Sequence, residues 1–173
     1  MSTHQIREQV VYPHPIQVVW HALTDPAALG EWLMPNDFQA RVGHEFTFTA
    51  PPGPGWDGLV HCRVTELAPP HRLAYTWRGT DPAALDTTVT FHLEQVPGGT
   101  RLILTHRGFT DANRWLRDQL AGGWRSNLLT RALPALLARL NARKDPASHR
   151  TRQREPPQEH RARPHAPSCN PRN

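Results

Sequence analysis

The spacing of apolar residues in the first part of the chain predicts one strand and two short helices. Residues 5–12, QIREQVVY, predict a strand that Pro13 and Pro15 end. Asp25 followed by Pro26 is typical of a helix start, so a second short helix is predicted there. The first helix is predicted by apolar residues that recur on one face, at Ile16, Val19, Trp20 and Leu23.

From residue 37 to residue 109 the apolar residues recur at every second position, which is typical of strands with one buried face. Pro97-Gly98-Gly99 predicts a tight hairpin turn. Short strands joined by tight turns predict an antiparallel meander. Five strands are predicted in this way, around residues 46–48, 60–64, 73–77, 87–93 and 102–106.

The last apolar segment predicts helices. Asp111 can cap a helix start, and Gly122-Gly123 predicts a break or a change of direction. Pro134 lies opposite the apolar stripe that follows and should remove one hydrogen bond and bend the helix. That stripe starts at Trp124 and continues through Leu128, Leu129, Ala132, Leu133, Leu136, Leu137 and Leu140.

This order of elements predicts an α+β fold, since no strand–helix–strand alternation is present. We expect a curved antiparallel sheet of about six to seven strands wrapped on a long C-terminal α-helix, with two short helices after strand 1. Such an arrangement commonly leaves an apolar cleft between sheet and helix, which is a default binding site.

Composition divides the chain of 173 residues into a domain at 1–143 and a tail at 144–173. The tail contains six prolines and no Val, Ile, Leu, Met, Phe, Trp or Tyr, so we expect it to be disordered. Its net charge is +4, whereas the domain carries only +1. We therefore expect no specific nucleic-acid binding, although the basic Pro/Arg-rich tail could contact anionic partners weakly.

Several protein classes are disfavoured. No run of 18 apolar residues is present, and the N-terminus lacks an apolar signal core, so a cytoplasmic protein without a membrane span is expected. Cys62 and Cys169 form neither a disulfide framework nor a zinc set. Eight histidines at 1–143 show no metal-ligand spacing, and no nucleotide-binding or hydrolase motif is present. We therefore expect no metal and no cofactor.

Five blocks of the sequence resemble a known family. These are PIQVVWHALTDPAALGEW at 15–32, RVGHEFTF at 41–48, WDGLVHCRVTELAPPHRLAYTW at 56–77, DTTVTFHLEQVPGGTRLILTHRGF at 86–109 and GGWRSNLLTRALPALLARL at 122–140. Together they resemble the START-like, helix-grip superfamily (SRPBCC) of polyketide cyclases, lipid-transfer domains and the birch-pollen allergen. Within it they are most similar to bacterial homologues of the activator of the ninety-kilodalton heat-shock-protein ATPase. The resemblance implies the helix-grip fold but no single activity, since its members include binders, cyclases and chaperone regulators.

Strand parity and the helical stripe select candidate ligand-binding residues on the face between sheet and helix. They are Phe46, Phe48, Val60, Val64, Tyr75, Trp77, Val89, Phe91, Leu102, Leu104, His106, Trp124, Arg125 and Leu128. Cys62 shares this parity and is interpreted as a small buried hydrophobe rather than a nucleophile.

Two of these residues could carry chemistry. His106 has the parity of Leu102 and Leu104, so it either orients a ligand or acts as acid or base, or is a core histidine with a backbone or water partner. At 100° per residue, Arg125 lies near the middle of the apolar stripe and could anchor a ligand carboxylate or hydroxyl. Alternatively it pairs with Asp57 or Asp86, or the helix starts late enough to leave it in solvent.

Three functions follow, and the sequence favours the first. The protein binds a small, largely hydrophobic, lipid- or polyketide-like molecule between sheet and C-terminal helix. Alternatively it is a cyclase or hydrolase on a polyketide-like substrate, with His106 and Arg125 reaching one cavity. The third hypothesis is an interaction module for a chaperone or a transcription factor, which a large apolar patch on the convex face would support.

Overall fold

Six antiparallel strands form one curved sheet in the computed structural model, which describes residues 4–81 and 83–144. The strand order is β1-β6-β5-β4-β3-β2, so β1 and β2 are the edges. The predicted tail, apart from Lys144, lies outside the described residues. The strands are β1 (Gln5–Tyr12), β2 (Glu45–Thr49), β3 (Leu59–Ala68), β4 (Arg72–Arg78), β5 (Asp86–Val96) and β6 (Gly99–Arg107).

Alternation along these strands buries one face, as the period-two pattern predicts. In β5, for example, Val89 and Phe91 are fully buried, whereas Thr88 and Thr90 on the other face are partly exposed. The β5–β6 hairpin turns at Gly98, whose φ of 84° favours glycine. The α+β meander is therefore confirmed.

Two short helices follow β1, as predicted: α1 (Ile16–Thr24) and α2 (Pro26–Trp32). The Asp25 carboxylate accepts a hydrogen bond from the Ala28 N–H and caps α2. The Trp32 indole N–H donates to the Ala22 carbonyl at 2.8 Å and fixes the angle between the two helices.

The C-terminal helix runs without interruption from residue 114 to residue 144. It consists of α3 (Arg114–Gly123), a π-helical segment (Trp124–Ala132) and α4 (Leu133–Lys144). The prediction of a break at Gly122-Gly123 is wrong, because the Gly123 backbone is helical, with φ −61° and ψ −48°. What changes at this point is the hydrogen-bond pattern, which widens to the i→i+5 spacing of a π-helix.

The start of this helix also differs from the prediction. A turn of 3-10 helix (Asp111–Asn113) precedes α3, so Asp111 is its first residue rather than its cap. The Asn113 side chain accepts from the Thr110 backbone N–H at 2.7 Å and closes the turn. Among the described residues, no helix is long and apolar enough to cross a bilayer.

Pro134 removes one backbone hydrogen bond, as predicted, and a side-chain hydrogen bond from the sheet replaces it. With i→i+5 spacing, the residue at position 134 would donate its N–H to the Leu129 carbonyl, but proline has no N–H. The Leu133 N–H donates to the Leu128 carbonyl, so it does not donate to that of Leu129. The Tyr12 hydroxyl of β1 donates to the Leu129 carbonyl at 2.7 Å. A side chain of the sheet edge thus replaces a bond that the helix cannot make itself.

We predict that Tyr12→Phe lowers the free energy of unfolding by about 1–3 kcal/mol, because a buried carbonyl loses its donor. The difference would be measured by urea denaturation of both proteins, with the m-value expected to stay constant. A variant as stable as the wild type would show that Leu129 finds another donor and would contradict this account.

Candidate functional site

The candidate residues on the sheet lie together on its buried face. Each is at most 4% exposed, so the parity argument placed them correctly. They are Phe46 and Phe48 of β2, Val60 and Val64 of β3, Tyr75 and Trp77 of β4, Val89 and Phe91 of β5, and Leu102, Leu104 and His106 of β6. Their role in binding a ligand stays a prediction.

Aromatic rings fill the space between the sheet and the helices. Trp124 of the C-terminal helix lies 5.7 Å from Trp77 and 6.1 Å from Phe91, measured between ring centroids. Trp32 of α2 contacts Phe91 edge to face at 6.4 Å. The cleft expected there is therefore occupied by side chains, and a ligand on this face must replace part of that packing.

Two open clefts lie away from this face. One, of about 380 Å³, is lined by Pro13–Gln17 and by the β5–β6 hairpin. The other, of about 320 Å³, lies between residues 35–37 and β2. Neither is lined by a candidate residue.

His106 is fully buried and joins the helix to three strands. Its Nε2 lies 2.7 Å from the Thr87 hydroxyl of β5, and that hydroxyl donates to the Trp77 carbonyl of β4 at 2.8 Å. On its other side, Nδ1 accepts from the Trp124 indole N–H at 3.4 Å. The chain Trp124–His106–Thr87–Trp77 is called the buried polar chain below.

The two partners fix one tautomer of His106. An indole N–H only donates, so Nδ1 must carry a lone pair. The one hydroxyl hydrogen of Thr87 is used on Trp77, so Nε2 must carry the proton and donate. Burial lowers the pKa of His106 to about 3, so the ring is neutral at neutral pH. Both nitrogens are occupied within the protein, and an acid or base must reach its substrate. The structure therefore supports the hypothesis of a core histidine, although its partners are side chains rather than backbone or water.

Arg125 does not lie in the buried stripe, and that prediction is wrong. Its side chain is 70% exposed and pairs with Glu8 of β1, with 2.8 Å between Nη2 and Oε1. It pairs with neither Asp57, which accepts from Thr80, nor Asp86, which pairs with Arg78.

The physical reason is the width of the helix. Trp124 and Leu129 are both buried, although residues five apart in an α-helix lie about 140° apart. The π-helical spacing brings these two residues to one face, so that Arg125 and Thr130, each one position later, are exposed together. Leu128, the other helix candidate besides Trp124, is only half-buried for the same reason.

Cys62 is buried among the candidates, as its parity predicts, and burial raises the pKa of its thiol. It therefore stays protonated at neutral pH, and a thiol is a poor nucleophile. Within residues 4–81 and 83–144, no three His, Cys, Asp or Glu side chains are arranged to hold a metal ion.

Sequence reasoning missed three residues that matter at this face. Thr87 is a polar residue with the parity of Val89 and Phe91, and this signal could have identified it as the partner of His106. Glu8 likewise shares the inward parity of Tyr12 on β1. The role of Tyr12 depends on the π-helical pattern, for which we find no signal in the sequence.

Comparison with known proteins identifies the family of the chain. The sequence model of the family described as "Activator of Hsp90 ATPase homolog 1-like protein" matches residues 13–138. No curated protein matches the sequence.

Solved structures resemble the chain over most of its length. Protein MLL2253 from Mesorhizobium loti superposes with a TM-score of 0.67 at 34% identity, covering 82% of this chain and 98% of that one. For protein BH1534 from Bacillus halodurans the TM-score is 0.64 at 29% identity, covering 77% and 96%. PFC0360w, an Hsp90 activator from Plasmodium falciparum, superposes with a TM-score of 0.60 at 23% identity, covering 73% and 91%, and shares the fold.

A neutral buried His106 predicts a pH-dependent contribution to stability. Its pKa is about 3 when folded and about 6.5 in an exposed histidine, so the unfolded chain binds the additional proton between these values. The free energy of unfolding should therefore fall as the pH drops below about 6.5, by up to about 1.4 kcal/mol per pH unit from this group. The stability advantage of the wild type over His106→Gln, measured in urea, should be about 2 kcal/mol smaller at pH 5.0 than at pH 7.5.

Leu104→Val, on the same strand and the same buried face, supplies the control for this measurement, because neither side chain titrates. Leu104→Val should differ from the wild type by the same amount at both pH values. A His106→Gln difference that also stays constant would show that His106 is not held neutral in the folded protein.

Proposed function

The chain belongs to the family of Activator of Hsp90 ATPase homolog 1-like proteins, and from this premise we propose that it binds a small, largely apolar molecule between the sheet and the C-terminal helix. One observation carries the proposal. An aromatic layer covers the inner face of the sheet, and the helix above it is attached unevenly along its length.

The uneven attachment defines which part of the helix could yield to a ligand. α3 has no buried residue, whereas α4 buries Leu133, Leu136 and Leu137. Segments with few buried apolar contacts open at the lowest free energy. We therefore propose that α3 opens first and that the buried Trp124 at the start of the π-helical segment moves with it, while α4 stays anchored. The aromatic rings beneath then receive the ligand.

The chemistry of the exposed layer indicates the ligand class. Phe48 and Trp77 contact at 5.5 Å, and Trp77 also contacts Trp124 at 5.7 Å. Separating such rings exposes flat apolar surfaces that an aromatic or polyene-like molecule can replace. A lipid- or polyketide-like molecule has this character.

The enzyme hypothesis has less support. It requires His106 and Arg125 at one cavity, yet His106 is engaged on both nitrogens and Arg125 is exposed beside Glu8. We propose a binding function for this reason.

A protein partner is the second candidate, and the exposure of Trp115 on α3 favours it. Trp115 is 62% exposed. The matching family is named after an activator of the Hsp90 ATPase, and the Plasmodium structure is described as an Hsp90 activator. The convex face offers less, since β5 presents Thr88, Thr90 and His92 there. Co-sedimentation of purified Hsp90 with the wild type but not with Trp115→Ala would support this function.

Cys62 is a free thiol, which is compatible with the reducing cytoplasm, where we propose that either function operates.

If the ligand enters by lifting the helix, tying the helix to β1 should block binding. Glu8 and Arg125 are in contact and can both be replaced by cysteine, in a Cys169→Ser background, and joined by a bis-methanethiosulfonate linker. With 2-ethylnaphthalene as a flat apolar probe, we expect calorimetric binding to the unlinked variant, at least tenfold weaker binding to the linked one, and recovery after reduction.

Arg78→Cys/Asp86→Cys provides the matched control, because its linker joins two strands that are already hydrogen-bonded to each other. Linking this pair should leave the affinity unchanged. Equal affinity of the linked and unlinked Glu8/Arg125 variant would exclude entry under the helix. If 2-ethylnaphthalene binds none of the unlinked proteins, the proposed function itself fails for flat apolar molecules.

A further inference from the structure

Tyr75 lies at the centre of the aromatic layer on β4. Its ring contacts Phe46 edge to face at 5.2 Å and lies 6.0 Å from both Phe48 and Phe91. The whole residue is inaccessible to solvent. These three neighbours are hydrocarbon rings, so they offer the hydroxyl no conventional acceptor.

The Tyr75 hydroxyl makes no hydrogen bond with any part of the chain that the structure describes. Three other buried aromatic donors have partners: Tyr12 donates to Leu129, Trp32 to Ala22 and Trp124 to His106. A buried hydroxyl without a partner costs free energy, and phenylalanine would fill the same space without that cost. The exception therefore requires a reason, and the proposed binding site supplies one.

We propose that the Tyr75 hydroxyl is the polar anchor of the ligand site and donates a hydrogen bond to the carbonyl oxygen of a neutral, flat apolar ligand. This inference depends on the proposed function, because the ligand must reach the aromatic layer. It narrows the ligand class from any apolar molecule to ketones, esters and similar carbonyl compounds.

Two physical arguments select a neutral carbonyl. Burial raises the pKa of Tyr75 well above its ordinary range, so the hydroxyl keeps its proton and can act as a donor. A carboxylate would bring a charge among Phe46, Phe48 and Phe91, where nothing compensates for lost hydration. Arg125, which the sequence suggested as the anchor for a ligand carboxylate, is exposed and already paired with Glu8.

The test compares two probes that differ in one group, 2-acetylnaphthalene with a carbonyl and 2-ethylnaphthalene with a methylene in its place. Protein is titrated calorimetrically into each sparingly soluble probe, for the wild type and for Tyr75→Phe. We expect the wild type to bind 2-acetylnaphthalene about three- to tenfold more tightly than 2-ethylnaphthalene, since a net hydrogen bond contributes this much. In Tyr75→Phe the preference for 2-acetylnaphthalene over 2-ethylnaphthalene should vanish.

The outcomes separate this inference from the function on which it rests. If both probes bind and Tyr75→Phe keeps the preference for the carbonyl, the anchor is overturned while the binding function stands. If neither probe binds the wild type, the binding function fails and the anchor fails with it.

Thermal unfolding checks the premise that the hydroxyl is unpaired in the free protein. Tyr75→Phe should unfold at the same temperature as the wild type or higher, because no bond is lost. Tyr12→Phe, which removes a hydroxyl with a known partner, should unfold at a lower temperature and serves as the matched comparison. A Tyr75→Phe midpoint lowered as much as that of Tyr12→Phe would mean that the hydroxyl already has a buried partner, and would overturn the proposal.

Discussion

The buried polar chain is the constraint on which the arrangement of helix and sheet depends. Apolar burial supplies most of the free energy that holds the C-terminal helix on the sheet, but it is not directional. The hydrogen bonds from Trp124 to His106, from His106 to Thr87 and from Thr87 to Trp77 are directional, and they connect the helix to β6, β5 and β4. They fix which residues of the helix meet which strands. The same bonds occupy both ring nitrogens of the neutral His106, which favours a binding function over catalysis.

The π-helical segment is the second determinant of the site. Its spacing turns Trp124 and Leu129 toward the sheet together and leaves Arg125 in solvent beside Glu8. Pro134 prevents the segment from completing its own hydrogen bonds, and Tyr12 supplies the missing donor. The helix is thus anchored from Leu129 onward, while no residue of α3 is fully buried. This unevenness gives the closed interior the physical route by which we propose that it accepts a ligand.

Strand parity was enough to predict the sheet and its buried face, because each strand repeats with a period of two and the hairpins are short. It placed Phe46, Tyr75, His106 and the other strand candidates on one surface. The prediction for Arg125 failed for a different reason. It assumed 3.6 residues per turn, whereas Arg125 lies in a π-helical segment with more residues per turn. Hydrogen-bond partners and the filling of the cleft depend on side-chain packing in three dimensions. The unpaired Tyr75 hydroxyl could be identified only from the structure for this reason.

The most direct test of this account is the ¹⁵N chemical shifts of the two ring nitrogens of His106, measured by NMR between pH 5 and pH 8. A ring held by Trp124 and Thr87 should show Nε2 protonated and Nδ1 unprotonated throughout, with no titration in this range. An imidazole that titrates near pH 6.5, or that carries its proton on Nδ1, would contradict the account. His106 would then be free to act as an acid or base, and the case for a binding function over an enzyme would fall.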